Sequence, residues 1–174
     1  MHHSVQIAGA ACLVFVTSVQ AQTSASAPPA DAVPERMPYD IPYGSPIGLD
    51  AAKHLLALAE AEARRHDWKM NIAVVDPHGD LVAFERMDGA QYASVEVSQN
   101  KARTSARFRR ETRVFYNQFE SGHAYVATLV PGLVASPGGF PLVEDGKVIG
   151  AIGCSGGTGD QDAVTCKAAA STVK

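Results

Sequence analysis

The chain has 174 residues, 46% of them hydrophobic, which suffices for one domain with a real core but hardly for two. Its formal net charge of -3 supplies no basic field for holding a phosphate backbone. These values argue against nucleic acid as a partner.

Residues 1–21 predict a secretory signal peptide. They contain no Lys, Arg, Asp or Glu, hold the apolar run IAGAACLVFV and end in VQA, with small residues where a signal peptidase reads. The run is too short to span a bilayer comfortably. We expect cleavage before Gln22, no membrane span afterwards, and a periplasmic or secreted protein. An uncleaved anchor is the alternative, because His2 and His3 replace the usual Lys or Arg.

Cleavage would remove Cys12 and leave two cysteines, Cys154 and Cys166, in an oxidising compartment. Either they form a disulfide between a strand and the following helix, or both stay buried and reduced. The sequence does not set their Cα separation, so both alternatives stay open. It contains no CxxC redox motif and no Cys-rich zinc motif.

Residues 22–46 predict a linker or arm. The segment is rich in Pro, Ala and Ser and has no sustained helical or strand period, so it buries too little apolar surface to order itself. Three of its side chains, Tyr39, Ile41 and Tyr43, are candidates to pack along the domain or a neighbouring subunit. The single folded domain is expected over residues 47–174.

A helix is predicted to follow Asp50, its expected N-cap, over AAKHLLALAEAEARRH, with one apolar stripe formed by Leu55, Leu56, Ala59 and Ala63. The strands KMNIAVVD and DLVAFER come next. Between them, Pro77-His78-Gly79 predicts a tight β-hairpin. A helix from about Ser94 to Phe108 and a shorter one over ETRVFYNQFES are predicted after this hairpin.

Asp145-Gly146 lies between two apolar runs and predicts a second hairpin. The last strand, VIGAIGCSG, contains glycines, and Gly153 within it indicates close approach of another backbone or a ligand, or alternatively a bulge. A final helix is expected from Asp160 onward. Because no βαβ alternation occurs, the order predicts an α+β domain with an antiparallel sheet.

The sequence has no HExxH or Walker loop, and no GxGxxG that opens a helix after a strand. The stretch SGGTGD could cradle an anion with successive backbone N–H groups. An ordinary glycine-rich turn at a helix start is the alternative.

Three blocks, AVVDPHGDLVAFERMDGA, SQNKARTSARF and SPGGFPLVEDGKVIGAIGCSGGTGDQD, closely resemble the GlcG/HbpS-like family of haem-binding and haem-responsive proteins. That family also includes the C-terminal domain of the PduO corrinoid adenosyltransferases. The resemblance covers nearly all of residues 47–174, with the blocks in the family's order and spacing. It implies a profilin-like fold, homo-oligomers with pockets near subunit contacts, and haem or a related tetrapyrrole as the ligand.

Carried over residue by residue, the family's signature implies binding roles for Arg86, Asp88, Lys101, Thr104, Ser155, Gly156 and Gly157, to which we add Gly153. Arg86 and Lys101 would grip haem propionates, or alternatively pair with Asp88 and Asp76 inside the fold. Thr104, from the KAxT pattern, would lie against the porphyrin or bond back to its own helix. The expected pocket combines residues 86–104 with the loop at 153–160.

His54, beside the apolar stripe of the first helix, is the predicted iron ligand, with a solvated surface histidine as the alternative. The other candidates are His66, His78, His123, Met70 and Met87. His66 is predicted to be a helix-end cation. His78 stands where the family more often has glycine.

Two other functions stay open. A small-metabolite hydrolase or isomerase would use carboxylates beside a histidine and a serine, drawn from Asp76, Asp88, Asp160, His123 and Ser155. The chain would otherwise be an oligomeric signalling partner of a membrane sensor, with the Pro-rich arm available for contact.

Overall fold

The structure, a computed structural model, describes residues 34–174; the predicted signal peptide and residues 22–33 of the predicted arm lie outside the described residues. Its elements occur in the predicted order: α1 (Leu49–Arg65), β1 (Asn71–Val75), β2 (Leu81–Arg86), α2 (Ala93–Phe108), α3 (Arg113–Glu120), β3 (Gly139–Glu144), β4 (Lys147–Ser155) and α4 (Gly159–Ala170). A 3₁₀ helix, Ala124–Thr128, follows α3. None of the helices within residues 34–174 has the length and apolar character that crossing a membrane requires.

The four strands form one antiparallel sheet in the order β2-β1-β4-β3. Both predicted hairpins are present. In the first, Asp76 Oδ1 accepts the backbone N–H groups of His78, Gly79 and Asp80 at 2.9 to 3.0 Å. In the second, Asp145-Gly146 takes the left-handed conformation that a tight hairpin turn uses. The predicted α+β class is therefore confirmed.

Helices cover both faces of the sheet. The large core packs α1 and α4 against one face, and it includes Leu55, Leu56, Ile72, Val74 and Ile152. The other face, under α2, holds smaller side chains: Ala73, Val75, Ala102, Ala106 and Ala151. Consecutive residues of β1 thus point to opposite cores, and every residue of β1 is buried.

Gly153 of β4 lies directly under α2. A Cβ at Gly153 would overlap the carbonyl oxygen of Ser98 and lie 2.6 Å from the backbone nitrogen of Ala102. The predicted close approach is therefore made by the backbone of a helix and not by a ligand.

The expected N-cap of α1 was wrong. Gly48 occupies that position, and Asp50 lies in the first turn, where its carboxylate faces the positive end of the helix dipole. The predicted apolar stripe of α1 is confirmed, since all four of its residues are buried.

The described part of the arm packs along β4. The backbone of Val148 bonds to Pro42 O at 2.8 Å and to Gly44 N at 2.9 Å, and the Arg110 guanidinium lies 3.9 Å from the ring centre of Tyr39. Residues Arg36–Lys174 accordingly form one compact unit.

Cys154 and Cys166 form a disulfide that ties β4 to α4, and both residues are completely buried. Of the two alternatives for these cysteines, the structure has the paired one.

Candidate functional site

Most of the predicted site residues lie at one end of the sheet. Asn71, the first residue of β1, is flanked by Arg86 at the end of β2 and by Ser155 at the end of β4. Asp88-Gly89 continues from β2, and Gly156-Gly157 continues from β4. The antiparallel register thus brings two segments that are distant in sequence to the same edge.

A cavity of about 340 Å³ opens between these segments, within the usual size range of small-molecule sites. We call it the loop cavity; its walls are Asp67, Trp68, Lys69, Gly89, Gln91, Gly156, Gly157 and Gln161. Within this wall Lys69 forms an ion pair with Asp67. The sequence reasoning missed the contribution of the segment before β1. One signal was available there, because Trp68 is the chain's single tryptophan and directly precedes a buried strand.

Gly156 and Gly157 do not offer free N–H groups to an external anion. Both donate to Asp162 Oδ1, each at 3.0 Å. The next amide, of Thr158, donates to Gln161 Oε1 at 2.8 Å. Of the two alternatives for SGGTGD, the structure has the ordinary glycine-rich turn at a helix start, because side chains of α4 accept the hydrogen bonds of these amides.

Lys101 forms a buried ion pair with the Asp162 carboxylate. Its Nζ lies 2.7 Å from Asp162 Oδ2 and 3.2 Å from the carbonyl oxygen of Cys154, and the side chain is 1% exposed. Burial lowers the pKa of Lys101 and raises the pKa of Asp162, while the charge of each partner opposes the other's shift. Asp88 and Asp76 were thus the wrong partners, since Lys101 pairs with Asp162. In this arrangement Lys101 positions the Gly156-Gly157 segment, which we call the glycine loop, and does not face the cavity.

Polar side chains lie next to the loop cavity and form what we call the polar floor. Ser94 Oγ accepts hydrogen bonds from Gln91 Nε2 at 2.8 Å and from Ser155 Oγ at 3.0 Å. Asn71 Nδ2 donates to the carbonyl oxygen of Gln91 at 3.2 Å. Asn71 Oδ1 is buried and has no hydrogen-bond partner among residues 34–174. An unpaired buried acceptor costs about 1–3 kcal/mol, so the floor retains capacity for one further donor.

Arg86 and Asp88 are exposed at the same edge. The Arg86 guanidinium lies 5.2 Å from the ring centre of Tyr92, which is itself 80% exposed. Within the described part of the chain, Arg86 makes no ion pair, so its charge is available to a ligand carboxylate.

Thr104 and His54 do not line the loop cavity. Thr104 Oγ1 accepts a hydrogen bond from the backbone N–H of Val134 at 3.2 Å, which fixes the segment after the 3₁₀ helix. His54 is exposed on α1. The histidine next to the cavity wall is His66, which caps the end of α1 and stacks on Trp68 with 4.3 Å between ring centres.

The groups considered for catalysis each form a hydrogen bond with a different neighbour and not with one another. Asp76 caps its turn, Asp160 bonds to Arg113 at 2.7 Å, and His123 Nδ1 lies 3.0 Å from Ser121 Oγ. Ser155 contacts Ser94 rather than a histidine. Residues 34–174 also contain no cluster of three His, Cys, Asp or Glu side chains that could hold a metal ion.

Comparison with known proteins identifies relatives across the folded domain. The family model described as haem degrading protein HbpS-like matches residues 47–171. Protein GlcG of Escherichia coli K12 is 42% identical over 109 residues, which covers 63% of this chain and 81% of GlcG. A 15.0 kDa protein of Citrobacter freundii is 35% identical over 126 residues, covering 71% of this chain and 89% of that protein.

Solved structures agree with these relatives. A double mutant of Streptomyces reticuli HbpS superimposes with a TM-score of 0.70 at 25% identity, covering 84% of this chain and 99% of that chain. A complex of PduOC with haem gives a TM-score of 0.68 at 25% identity, covering 74% and 96% respectively. The likeness confirms the predicted profilin-like fold. The chain belongs to the HbpS-like family.

Proposed function

We propose that this protein binds haem or a related tetrapyrrole in the loop cavity. The observation that carries the proposal is that the two predicted loops meet at one cavity, whose wall also holds the aromatic side chain of Trp68 and the Lys69–Asp67 ion pair. An aromatic face suits a flat macrocycle, and Arg86, which makes no ion pair among residues 34–174, suits a propionate. Lys69 would bind a second propionate by exchanging Asp67 for it. Family membership and the likeness to PduOC, solved as a haem complex, support the same ligand.

The cavity of one chain lies at the small end of the range for ligand sites, about 300–1,000 Å³. A macrocycle would therefore extend beyond it and contact a second copy of the chain. We accordingly propose a homo-oligomer that completes the pocket. Tyr92, exposed beside Arg86, is available for that subunit contact.

Two histidines are candidates for the iron ligand. His54 is the candidate from the sequence, and His66 is the histidine next to the cavity wall. The His66 ring lies at 16° to the Trp68 ring and its Nε2 is 3.1 Å from Glu62 Oε1, so His66 would ligate the iron of a haem held by a second copy and not of one stacked on its own Trp68. Haem would supply redox-active iron, and the role would be haem capture, breakdown or redox sensing.

The proposed location is the periplasm or the exterior. The Cys154–Cys166 disulfide supports it, because such bonds persist in oxidising compartments. Quenching whole cells with acid and then alkylating the denatured protein tests this directly, because both cysteines are buried in the folded chain. A protein that reacts fully without prior reduction would contradict the proposed location.

Haem binding is tested by titrating haemin into Gln22–Lys174 and following the Soret band. We expect saturation at one haem or fewer per chain. A Trp68→Ala/Lys69→Gln variant should bind at least about tenfold more weakly, since it loses a stacking face and a charged partner. Lys167→Gln, an exposed lysine on α4 that does not line the cavity, is the matched control and should bind normally.

His54→Ala and His66→Ala, titrated separately, identify the ligand: the variant with a shifted Soret band has lost it. Absence of saturable binding would contradict the proposal and favour the enzyme or signalling alternatives. Equal affinity in the Trp68→Ala/Lys69→Gln variant would place haem elsewhere.

A further inference from the structure

A second cavity, of about 490 Å³, opens where the arm, the first hairpin turn and the end of α2 meet. We call it the arm cavity; its walls are Tyr43, Gly44, Pro46, Pro77, His78 and Arg107. It is larger than the loop cavity and shares no lining residue with it. The two cavities can therefore be tested independently.

Hydrogen bonds between distant segments fix these walls. Tyr43 OH donates to the backbone carbonyl of Arg107 at 2.9 Å, which ties the arm to α2. Arg103 Nε donates to the carbonyl oxygen of Gly79 at 3.1 Å, which ties the hairpin turn to the same helix. The Asp76 carboxylate holds the turn itself. The cavity is thus preformed, as most small-molecule sites are.

Arg107 brings a positive charge that the described residues do not neutralise. Its side chain makes no ion pair and no hydrogen bond within residues 34–174. Six other arginines do bond to a carboxylate, amide or carbonyl oxygen: Arg64, Arg65, Arg103, Arg109, Arg110 and Arg113. A guanidinium at a cavity wall without such a partner suits a ligand carboxylate, which it can bind through two parallel hydrogen bonds.

The remaining walls favour a flat, apolar body. The Tyr43 ring and two proline rings supply apolar surface, and exposed His78 adds a polar group. We propose that the arm cavity binds a small planar aromatic carboxylate, with its ring against Tyr43 and the prolines and its carboxylate on Arg107.

This site lies beyond the proposed haem function. Tyr43, Gly44 and Pro46 precede residue 47, where the match to the family model begins. Half of the lining therefore lies outside the segment that the family model matches.

The test is isothermal titration of Gln22–Lys174 with 2-naphthoate and with uncharged 2-naphthalenemethanol. We expect one 2-naphthoate per chain, and at least about tenfold weaker binding to Arg107→Gln, because the charged partner is lost. The alcohol should bind both proteins equally weakly. Arg107→Gln keeps the tie to Tyr43, which uses the backbone carbonyl, so the wall survives the substitution. Arg65→Gln, at an exposed side chain in the last turn of α1, is the control and should bind like the parent.

Failure here is distinguishable from failure of the haem proposal. Arg107→Gln should leave the haemin titration unchanged, and Trp68→Ala/Lys69→Gln should leave 2-naphthoate binding unchanged. Absence of saturable 2-naphthoate binding, or equal affinity for the parent and Arg107→Gln, would overturn the inference. Displacement of 2-naphthoate by haemin, with both lost in Arg107→Gln, would overturn it by making the arm cavity the tetrapyrrole site.

Discussion

Lys101 and Arg107 lie on the same helix, α2, and the fold uses their charges in opposite ways. Lys101 is 1% exposed and bonds to Asp162, whose carboxylate also holds the glycine loop. Arg107 is exposed at the wall of the arm cavity and has no ion-pair partner among residues 34–174. A basic residue in a family signature is thus not necessarily a ligand contact. Lys101, which belongs to the signature, stabilises the conformation of the site, whereas Arg107, which lies outside the signature, is available to bind a ligand.

The two cavities differ in whether buried or surface interactions hold their walls in place. The loop cavity lies within the family-matched segment and rests on buried charge, a polar floor and a disulfide. The arm cavity depends on surface hydrogen bonds between the arm, a turn and a helix end. Substitutions that disturb the first should therefore affect folding and haem together, whereas those at the second should affect only the small ligand.

The largest effect is expected for Asp162→Ala. The substitution leaves Lys101 buried without a counter-charge and removes the acceptor of Gly156 and Gly157, and breaking a buried pair in this way costs about 3–5 kcal/mol. Urea unfolding measures the loss. Asp160→Asn is the neighbouring control, because its exposed pair with Arg113 contributes about 0–1 kcal/mol. Equal losses in the two variants would refute the distinction between internal and surface charge.

A double Cys154→Ala/Cys166→Ala variant should lose about 2–4 kcal/mol of unfolding free energy, because the unfolded chain is no longer cross-linked. The disulfide joins β4 to α4 beside the glycine loop. We therefore expect weaker haemin binding and unchanged 2-naphthoate binding. The prediction fails if both ligands are affected alike in protein that remains folded at the assay temperature.

Gly153→Ala should cost about 1–3 kcal/mol, since overpacking forces the backbone of α2 to move. The midpoint of thermal unfolding should fall, and the affinity measured in the haemin titration should fall as well. Gly48→Ala is the matched control: a Cβ at Gly48 meets nothing within 4 Å, and the residue has an ordinary negative φ. A stable Gly153→Ala variant with normal binding would show that α2 adapts freely.

The smallest effect is expected for Tyr43→Phe. It removes one hydrogen bond to Arg107 O, worth about 0.5–1.5 kcal/mol, and loosens one wall of the arm cavity. Calorimetry should show 2-naphthoate binding weakened by a few-fold, with haemin unaffected. Tyr125→Phe, at a 60% exposed tyrosine, should change neither. Tighter 2-naphthoate binding in Tyr43→Phe would contradict the proposed role of this tie.

Local patterns predicted the elements and both hairpins, because turn residues and apolar periods act over a few positions. The register of the sheet then placed Arg86 and Ser155 together, as the predicted pocket required. Asp162 was missed because its partner Lys101 lies 61 residues away, and no local pattern marks that contact.

The walls of the cavities were harder to foresee. Trp68 and Asn71 lie in a segment whose sequence predicts only the start of a strand. The role of Asn71 becomes visible in the structure, where its Oδ1 is buried without a hydrogen-bond donor. The arm cavity needs Tyr43 to meet Arg107, a contact between an irregular segment and a helix end. Composition alone indicated that this arm would not order itself.

The most direct test of the central claim is to locate the iron in crystals of the haemin complex by anomalous scattering. The proposed function predicts an iron peak in the loop cavity, beside Trp68 and the Gly156-Gly157 loop, with His66 or His54 of one copy as its ligand. A peak in the arm cavity beside His78, or no ordered iron at one haemin per chain, would contradict it.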